Sequence, residues 1–319
     1  KVINKIPLNY TSSPTLITGY YRETMKENGN YIKYTDAACN YYASPYIKKK
    51  YKWRDYQNTF DFSLSNGAFN FDSNSLHRIH FHHKTLKSEQ VNIINSRSSG
   101  SLSEREFHGN IEGGPLGLFA RNRVKYQESF LGKKATRDFT YKISEELDDK
   151  GNWLYVLDFH TKTTKADLDA LASPDDNRNR RQWNKANKRK LLKGRIYINQ
   201  EDLAVVRYEC VVPNQLKQYF CGYKFNQIKH FDYKLDVRFK KKDDHYYIDN
   251  MRHEDEFIYK DSISQATTYY SAISEFKATN ISTQNVKKIS KDENFANTMS
   301  NQLYDFPLDY DSDFWQDYT

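Results

Sequence analysis

Ten consecutive residues, Phe231-Asp232-Tyr233-Lys234-Leu235-Asp236-Val237-Arg238-Phe239-Lys240, alternate apolar and charged side chains without a break. A period of two is that of a strand with one face buried and the other wet; a helix would scatter the same apolar groups around its circumference. Lys241-Lys242-Asp243-Asp244 then reads as a polar turn, and His245 to Tyr259, rich in Tyr, Phe and Ile, reads as the return strand. Weaker copies of the pattern recur along the chain. Phe60, Phe62 and Leu64 alternate up to the turn signal Asn66-Gly67, Phe69 and Phe71 resume the alternation, and Ile79 and Phe81 repeat it. Trp153 to Phe159 is bulky and nearly continuous, which suits a strand covered on both faces. Ile196-Tyr197-Ile198 and Leu203 to Val211 flank the polar link Asn199-Gln200-Glu201-Asp202 as a hairpin would. Tyr20-Tyr21 and Tyr31 to Tyr42 bracket Glu27-Asn28-Gly29-Asn30 in the same way.

Roughly ten to twelve such segments follow one another with few helical patterns between them, which argues against a parallel α/β sheet. The expected fold is mostly β: a large, strongly curved antiparallel sheet or half-open barrel with one or two short helices. Gly113-Gly114-Pro115 breaks the chain, and Pro115 suits the first turn of a short helix running to about Lys125. Ser96 to Ser103 and Ser173-Pro174-Asp175-Asp176 read as loops. Neither makes an interdomain linker, so the expected organisation is a single β-rich domain over 1–300 with a C-terminal extension over 301–319.

Composition supports a folded core of an unusual kind. Mean hydropathy is −0.92, a value that suits disorder when rings are scarce. Here 26 Tyr, 19 Phe and 4 Trp supply the bulky surface that disordered chains lack. No run approaches the ~18 apolar residues of a membrane-spanning helix. Nothing at Lys1 resembles a signal peptide, and a start without Met reads as a processed or trimmed product.

The formal net charge of +8 is concentrated in one place. Arg178, Arg180, Arg181, Lys185, Lys188, Arg189, Lys190, Lys193 and Arg195 follow one another with no acidic residue among them. Such a run is a solvated face or a polyanion site, with Arg178, Arg180, Arg181, Lys188, Arg189 and Lys190 as its candidate contacts. Trp183 among these cations would suit base stacking, although a nucleic acid is the less expected partner. The far end is the opposite: between Asn301 and Thr319 stand Asp305, Asp309, Asp311, Asp313 and Asp317 with no Lys or Arg. The same stretch carries Tyr304, Phe306, Tyr310, Phe314, Trp315 and Tyr318, more rings than a solvated tail needs. It is expected to dock on the body through Phe314 and Trp315, with apolar burial rather than ion pairs deciding the docking.

Signals for chemistry are weak. His77, His80, His82 and His83 crowd together, but Ile79 and Phe81 would hold the buried face, and no Asp, Glu or Cys follows at ligand spacing. The bland reading is a polar strand face, so no metal site is assigned. Cys210 and Cys221 flank a possible hairpin around Pro213-Asn214 and could bridge; Cys39 reads as a small buried hydrophobe. His253-Glu254-Asp255-Glu256 has suitable residue types for a metalloprotease helix but lacks the second His. No nucleophile elbow or phosphate loop is present, so neither an enzyme nor a cofactor is expected.

Several phrases together resemble a family of Bacteroidetes-type envelope proteins, often described as carboxypeptidase-regulatory-like-domain proteins. They are Asn9-Tyr10, Pro14, Gly19-Tyr20-Tyr21-Arg22-Glu23-Thr24, Tyr31 and Tyr41 to Tyr46, then Gly113-Gly114-Pro115 and Tyr155-Val156-Leu157-Asp158-Phe159. Gly194-Arg195-Ile196-Tyr197-Ile198-Asn199, Leu203-Ala204-Val205-Val206 and Phe314-Trp315 complete the set. The resemblance is to the region downstream of the regulatory-like sandwich, covers most of the chain in short phrases, and carries no catalytic signature. It implies an exported protein, periplasmic or outer-membrane associated. The strand pattern also resembles, at the level of fold, lipoprotein carriers of the LolA and LolB type, whose half-open barrel wraps an apolar cavity. On that basis Phe231, Tyr233, Leu235, Val237 and Phe239 are the candidate ligand-binding face, for a lipid or acyl chain; the alternative is that the same face is core. A second reading is a structural module that contacts another envelope protein or a glycan.

Overall fold

The structure is a computed structural model, and it describes residues 1–46, 56–60, 83–100, 114–171, 191–220, 228–260, 264–295, 303 and 311–316. The fold is mostly β. Its strands are β1 (Thr15–Glu27), β2 (Asn30–Ala43), β3 (Tyr56–Phe60), β4 (His83–Leu86), β5 (Gln90–Gly100), β6 (Phe139–Leu147) and β7 (Trp153–Thr161). They continue with β8 (Lys193–Asn199), β9 (Val205–Val211), β10 (Ile228–Lys242), β11 (His245–Lys260) and β12 (Thr267–Ser282). Ten of them form an antiparallel sheet in the order β5-β2-β1-β12-β11-β10-β9-β8-β7-β6; it has two edge strands and so is not closed, and β3 and β4 pair separately. The helices are short, eight residues at most among the described residues.

The chain divides into two compact units. One comprises Lys1–Ser12, Tyr46–Lys48 and Asn122–Ser271 and holds β6 to β11. Its strands follow the chain as a meander, each paired with the next in sequence. The β10–β11 turn is only two residues, Asp243 and Asp244, with Asp243 in the left-handed region (φ 53°). β10 buries Tyr233, Leu235, Val237 and Phe239 on one face and turns its charges outward, as the alternation requires. The core is ring-built: Phe130 stacks on Phe159 at 4.1 Å and meets Phe139 and Tyr208 edge-on. Tyr10 stacks on Tyr46 at 4.8 Å and donates its hydroxyl to the Val205 carbonyl at 2.5 Å.

The other unit comprises Ser13–Pro45, Lys49–Arg121 and Ala272–Thr319. β1 and β2 form a hairpin through Asn28 and Gly29, both at positive φ, as the Asn-Gly signal demands. β1 buries alternate residues, among them Ile17, Tyr21 and Met25. Gly19 belongs to this buried set because a Cβ there would come within 2.4 Å of the Phe276 ring and of the Lys277 carbonyl. Phe276 in turn meets Phe119 edge-on, and Phe119 stacks on Tyr41 at 3.7 Å.

Three expectations change. β7 is not covered on both faces: Leu154, Val156 and Phe159 are buried, while Trp153 is exposed and Asp158 faces the charged side. Ser96 to Gly100 is not loop but the second half of β5, paired with Lys33 to Ala37 of β2. Small polar side chains give no apolar alternation there, and backbone pairing needs none. The helix expected from Pro115 to about Lys125 is two short ones, Pro115–Phe119 and Arg123–Tyr126, because the Asn122 side chain caps the second by accepting from the Lys125 N–H at 3.1 Å. The alternating segments from Phe62 to Phe81 lie outside the described residues.

Candidate binding site

In the unit that holds β6 to β11, register turns six separate alternations into ordered rows. Lys142 stands opposite Asp158, Asp158 opposite Arg195, Arg195 opposite Glu209, Glu209 opposite Asp236, and Asp236 opposite Arg252. One step along the strands, a second row runs Thr140, His160, Lys193, Val211, Lys234, Glu254. Directly opposite residues share a face, so both rows lie on the side away from the ring core. Together they line a depression of about 710 Å³. Gly194 lies beneath it, where a Cβ would come within 1.9 Å of the Glu209 carbonyl oxygen. Only glycine permits that approach of β8 to β9.

The acids of this face are all engaged. Arg207 forks onto Asp236, Nε to Oδ1 at 3.0 Å and Nη2 to Oδ2 at 2.8 Å, and reaches Glu209 at 2.7 Å. Arg238 adds a bond to Asp236 at 3.0 Å, and the Tyr197 hydroxyl donates to Glu209 at 3.0 Å. Arg195 holds Asp158 at 3.0 Å. Arg252 holds Glu254 at 2.7 Å, with Lys234 at 3.6 Å. Burial pushes the Glu254 carboxyl upward, but Arg252 and Lys234 outweigh it and hold it below the ordinary glutamate range. Three cationic or basic groups of the lining have no ion pair among the described residues: Lys142 on β6, and Lys193 and His160, which are exposed and directly opposite one another. His160 Nδ1 lies 2.8 Å from the Thr161 carbonyl and donates to it, so Nε2 is an acceptor in the neutral ring and donates to an anion in the imidazolium. A cation beside an imidazole, in a depression whose acids are already neutralised, can hold an anionic group.

The other unit carries a row of the same kind that is closed. Arg22 stands opposite Asp36, and Asp36 opposite Arg97. The Asp36 side chain is 0% exposed and receives Arg22 Nε at 2.8 Å, Arg97 Nη2 at 2.9 Å and the Tyr34 hydroxyl at 2.5 Å. Burial pushes its carboxyl upward; hydrogen bonds from Arg22, Tyr20, Tyr34 and Arg97 more than reverse that, so its pKa lies below the usual aspartate value. Above the row sits a one-turn helix, Ser312–Gln316. Its Trp315 is 1% exposed, lies 4.5 Å from the Arg97 guanidinium over the ring, and meets Tyr20 at 6.2 Å. Phe314, the other expected anchor, is half-buried and touches Trp315 edge-on.

Of the five residues expected to face a lipid, Tyr233, Leu235, Val237 and Phe239 are buried, and the Phe231 side chain lies outside the described residues. Phe239 packs 5.4 Å from Tyr10 and 6.4 Å from Tyr208, and Tyr233 lies 4.9 Å from the His253 ring. Only Leu235 of the five borders the depression, which opens on the opposite face. Arg178, Arg180, Arg181, Lys188, Arg189 and Lys190 lie outside the described residues, but the last two cations of that run, Lys193 and Arg195, stand on β8 in the depression. Cys210 and Cys39 are buried, and Cys221 lies outside the described residues, as do His77, His80 and His82. Strand alternation splits His253-Glu254-Asp255-Glu256: His253 and Asp255 are buried 2.9 Å apart, while Glu254 faces the charged rows. Among the described residues no group of His, Cys, Asp and Glu is arranged to hold a metal ion, and no helix is long and apolar enough to cross a membrane.

No family model and no curated protein matches the chain. Among solved structures, a chain from a study of lipid–protein interactions in lipovitellin is similar over 92% of this chain and 28% of its own length, with 8% identity and a TM-score of 0.30. A likeness at that level decides neither ligand nor role.

Proposed function

We propose that this chain is a non-catalytic binding domain of the cell envelope, whose ligand presents a carboxylate or phosphate to Lys193 and His160 on the charged face of β6–β11. The observation that carries the reading is the imbalance within the depression. Asp158, Glu209, Asp236 and Glu254 are each held by arginine or lysine, whereas Lys193 and His160 keep no acidic partner among the described residues. The paired charges around them offer further donors and acceptors to a hydroxyl-rich ligand. An acidic glycan and an anionic lipid headgroup share this chemistry.

The test is an NMR titration of the labelled full chain at low salt with a uronic-acid oligosaccharide, and in parallel with phosphatidylglycerol and phosphatidylcholine vesicles. Saturable shifts at Thr140 to Lys142, Asp158 to His160 and Lys193 to Arg195 are expected, and Lys193→Ala should weaken them about tenfold, as the loss of one charge-assisted bond implies. Binding to phosphatidylglycerol alone assigns the anion to a headgroup, and binding to the oligosaccharide assigns it to a glycan. Shifts that ignore Lys193→Ala overturn the site. A lipid acyl chain on the apolar face of β10 would have to part Phe239 from Tyr10 and Tyr208. Native mass spectrometry that repeatedly shows a co-purifying lipid would move the site there.

A further inference from the structure

The last strand of the sheet, β6, is an edge of unusual regularity. It pairs with β7 from Phe139–Thr161 to Leu147–Trp153 with no bulge, contains neither Gly nor Pro, and has no strand on its outer side among the described residues. Natural edges are blunted by bulges, prolines, covering segments or charged side chains, because a row of unpaired backbone groups templates another strand; of these β6 has only the charges of Lys142, Glu145 and Glu146. The opposite edge shows such protection: the Phe295 N–H donates to the Val91 carbonyl of β5 at 2.6 Å, and Asn294 accepts from the Val91 N–H at 3.0 Å. At β6 the exposed side chains add to the hazard, since Ile143 is 60% and Leu147 57% exposed, beside Trp153 at 53% on β7.

We infer that β6 is the self-association edge of this protein, pairing antiparallel with β6 of a second copy about a two-fold axis through Ser144. Charge selects both the occupant and the register. Because opposite residues must share a face, the axis can pass only through a residue. An axis through Lys142 sets lysine against lysine, and one through Glu145 sets glutamate against glutamate. An axis through Ile143 leaves Lys142 opposite serine. The axis through Ser144 alone places Lys142 opposite the partner's Glu146, twice by symmetry. On the other face the same register sets Tyr141 against the partner's Leu147, which takes that leucine out of water. Lys142 borders the depression, whereas Ser144 does not, so the Ser144→Cys test reads the inference apart from the proposed function.

Sedimentation equilibrium of the full chain should show a monomer–dimer equilibrium. Lys142→Glu and Glu146→Lys should each weaken it at least tenfold by opposing like charges, and the double variant, which restores opposite charges, should recover most of the loss. Melting curves confirm that each variant is folded. Ser144→Cys, on the axis, should form a disulfide-linked dimer on mild oxidation, visible on a non-reducing gel. A wild type that stays monomeric at high micromolar concentration overturns the inference. So does a folded double variant that behaves like the single ones, or a Ser144→Cys protein that fails to cross-link.

Discussion

The rows Arg22–Asp36–Arg97 and Lys142–Asp158–Arg195–Glu209–Asp236–Arg252 are built by the same rule and finished differently. Each sets charges of opposite sign on neighbouring strands, on one face of antiparallel pairs. In the first, one carboxylate is shared by two guanidinium groups and two tyrosines, and Trp315 covers it. In the second the charges stay in contact with water, with Asp236 24% exposed and Arg207 31% exposed. Covering turns a charge row into a structural joint, and leaving it open makes it a surface that can still exchange partners.

The comparison breaks most sharply at its two aspartates. Asp36→Ala leaves Arg22 and Arg97 adjacent and without their acid. The expected loss is about 3 kcal/mol, the low end for a broken buried pair, because these side chains keep 36% and 25% exposure. Chemical denaturation of the full chain measures it. Trp315→Ala should cost somewhat less than the ~3–5 kcal/mol of a ring deleted from a core, because a one-turn helix can shift to refill the space. The same variant should raise hydrogen exchange of the amides around Arg97, whereas unchanged exchange there would mean that the ring does not cover the row.

Acid gives a third test. Asp36 has a folded pKa below its unfolded value, so its contribution is complete above that unfolded value, near ~3.9, and is lost as pH falls through the lowered folded one. The stability difference between wild type and Asp36→Asn should therefore be constant from pH 7 to about pH 5 and shrink below about pH 4. A difference that persists unchanged to pH 2 would detach Asp36 from the joint. The smallest effect is expected in the open row, where Asp236→Ala should cost no more than about 1 kcal/mol, the range of exposed ion pairs, and should depend on salt. A loss as large as that of Asp36→Ala would erase the distinction between the two rows.

The strands of this fold were legible where side chains alternate strongly. β10 and β11 could be placed from Phe231 to Lys240 and the Asp243-Asp244 turn, and the β1–β2 hairpin from Asn28-Gly29. The second half of β5 was not legible, because Ser96, Ser98 and Ser99 pair through backbone groups that every residue carries. The depression was visible only in fragments. Lys193 and Arg195 closed a basic run, and Lys234 and Asp236 formed the polar half of an alternation, with nothing in the sequence to join them to Asp158 or Glu254.

Sequence by itself determined which side chains of a strand share a face, because alternation is a property of consecutive residues. It also made rings the substance of the core, since Tyr and Phe are the bulky groups this chain has in number. Tertiary structure alone decided which charges became neighbours. Asp36 meets Arg97 61 positions away, and Arg207 meets Asp236 29 positions away, by inter-strand register. Register is a relation between distant segments, fixed by backbone pairing and by the packing of the buried face. A slip of one residue would have sent the same charges into the core.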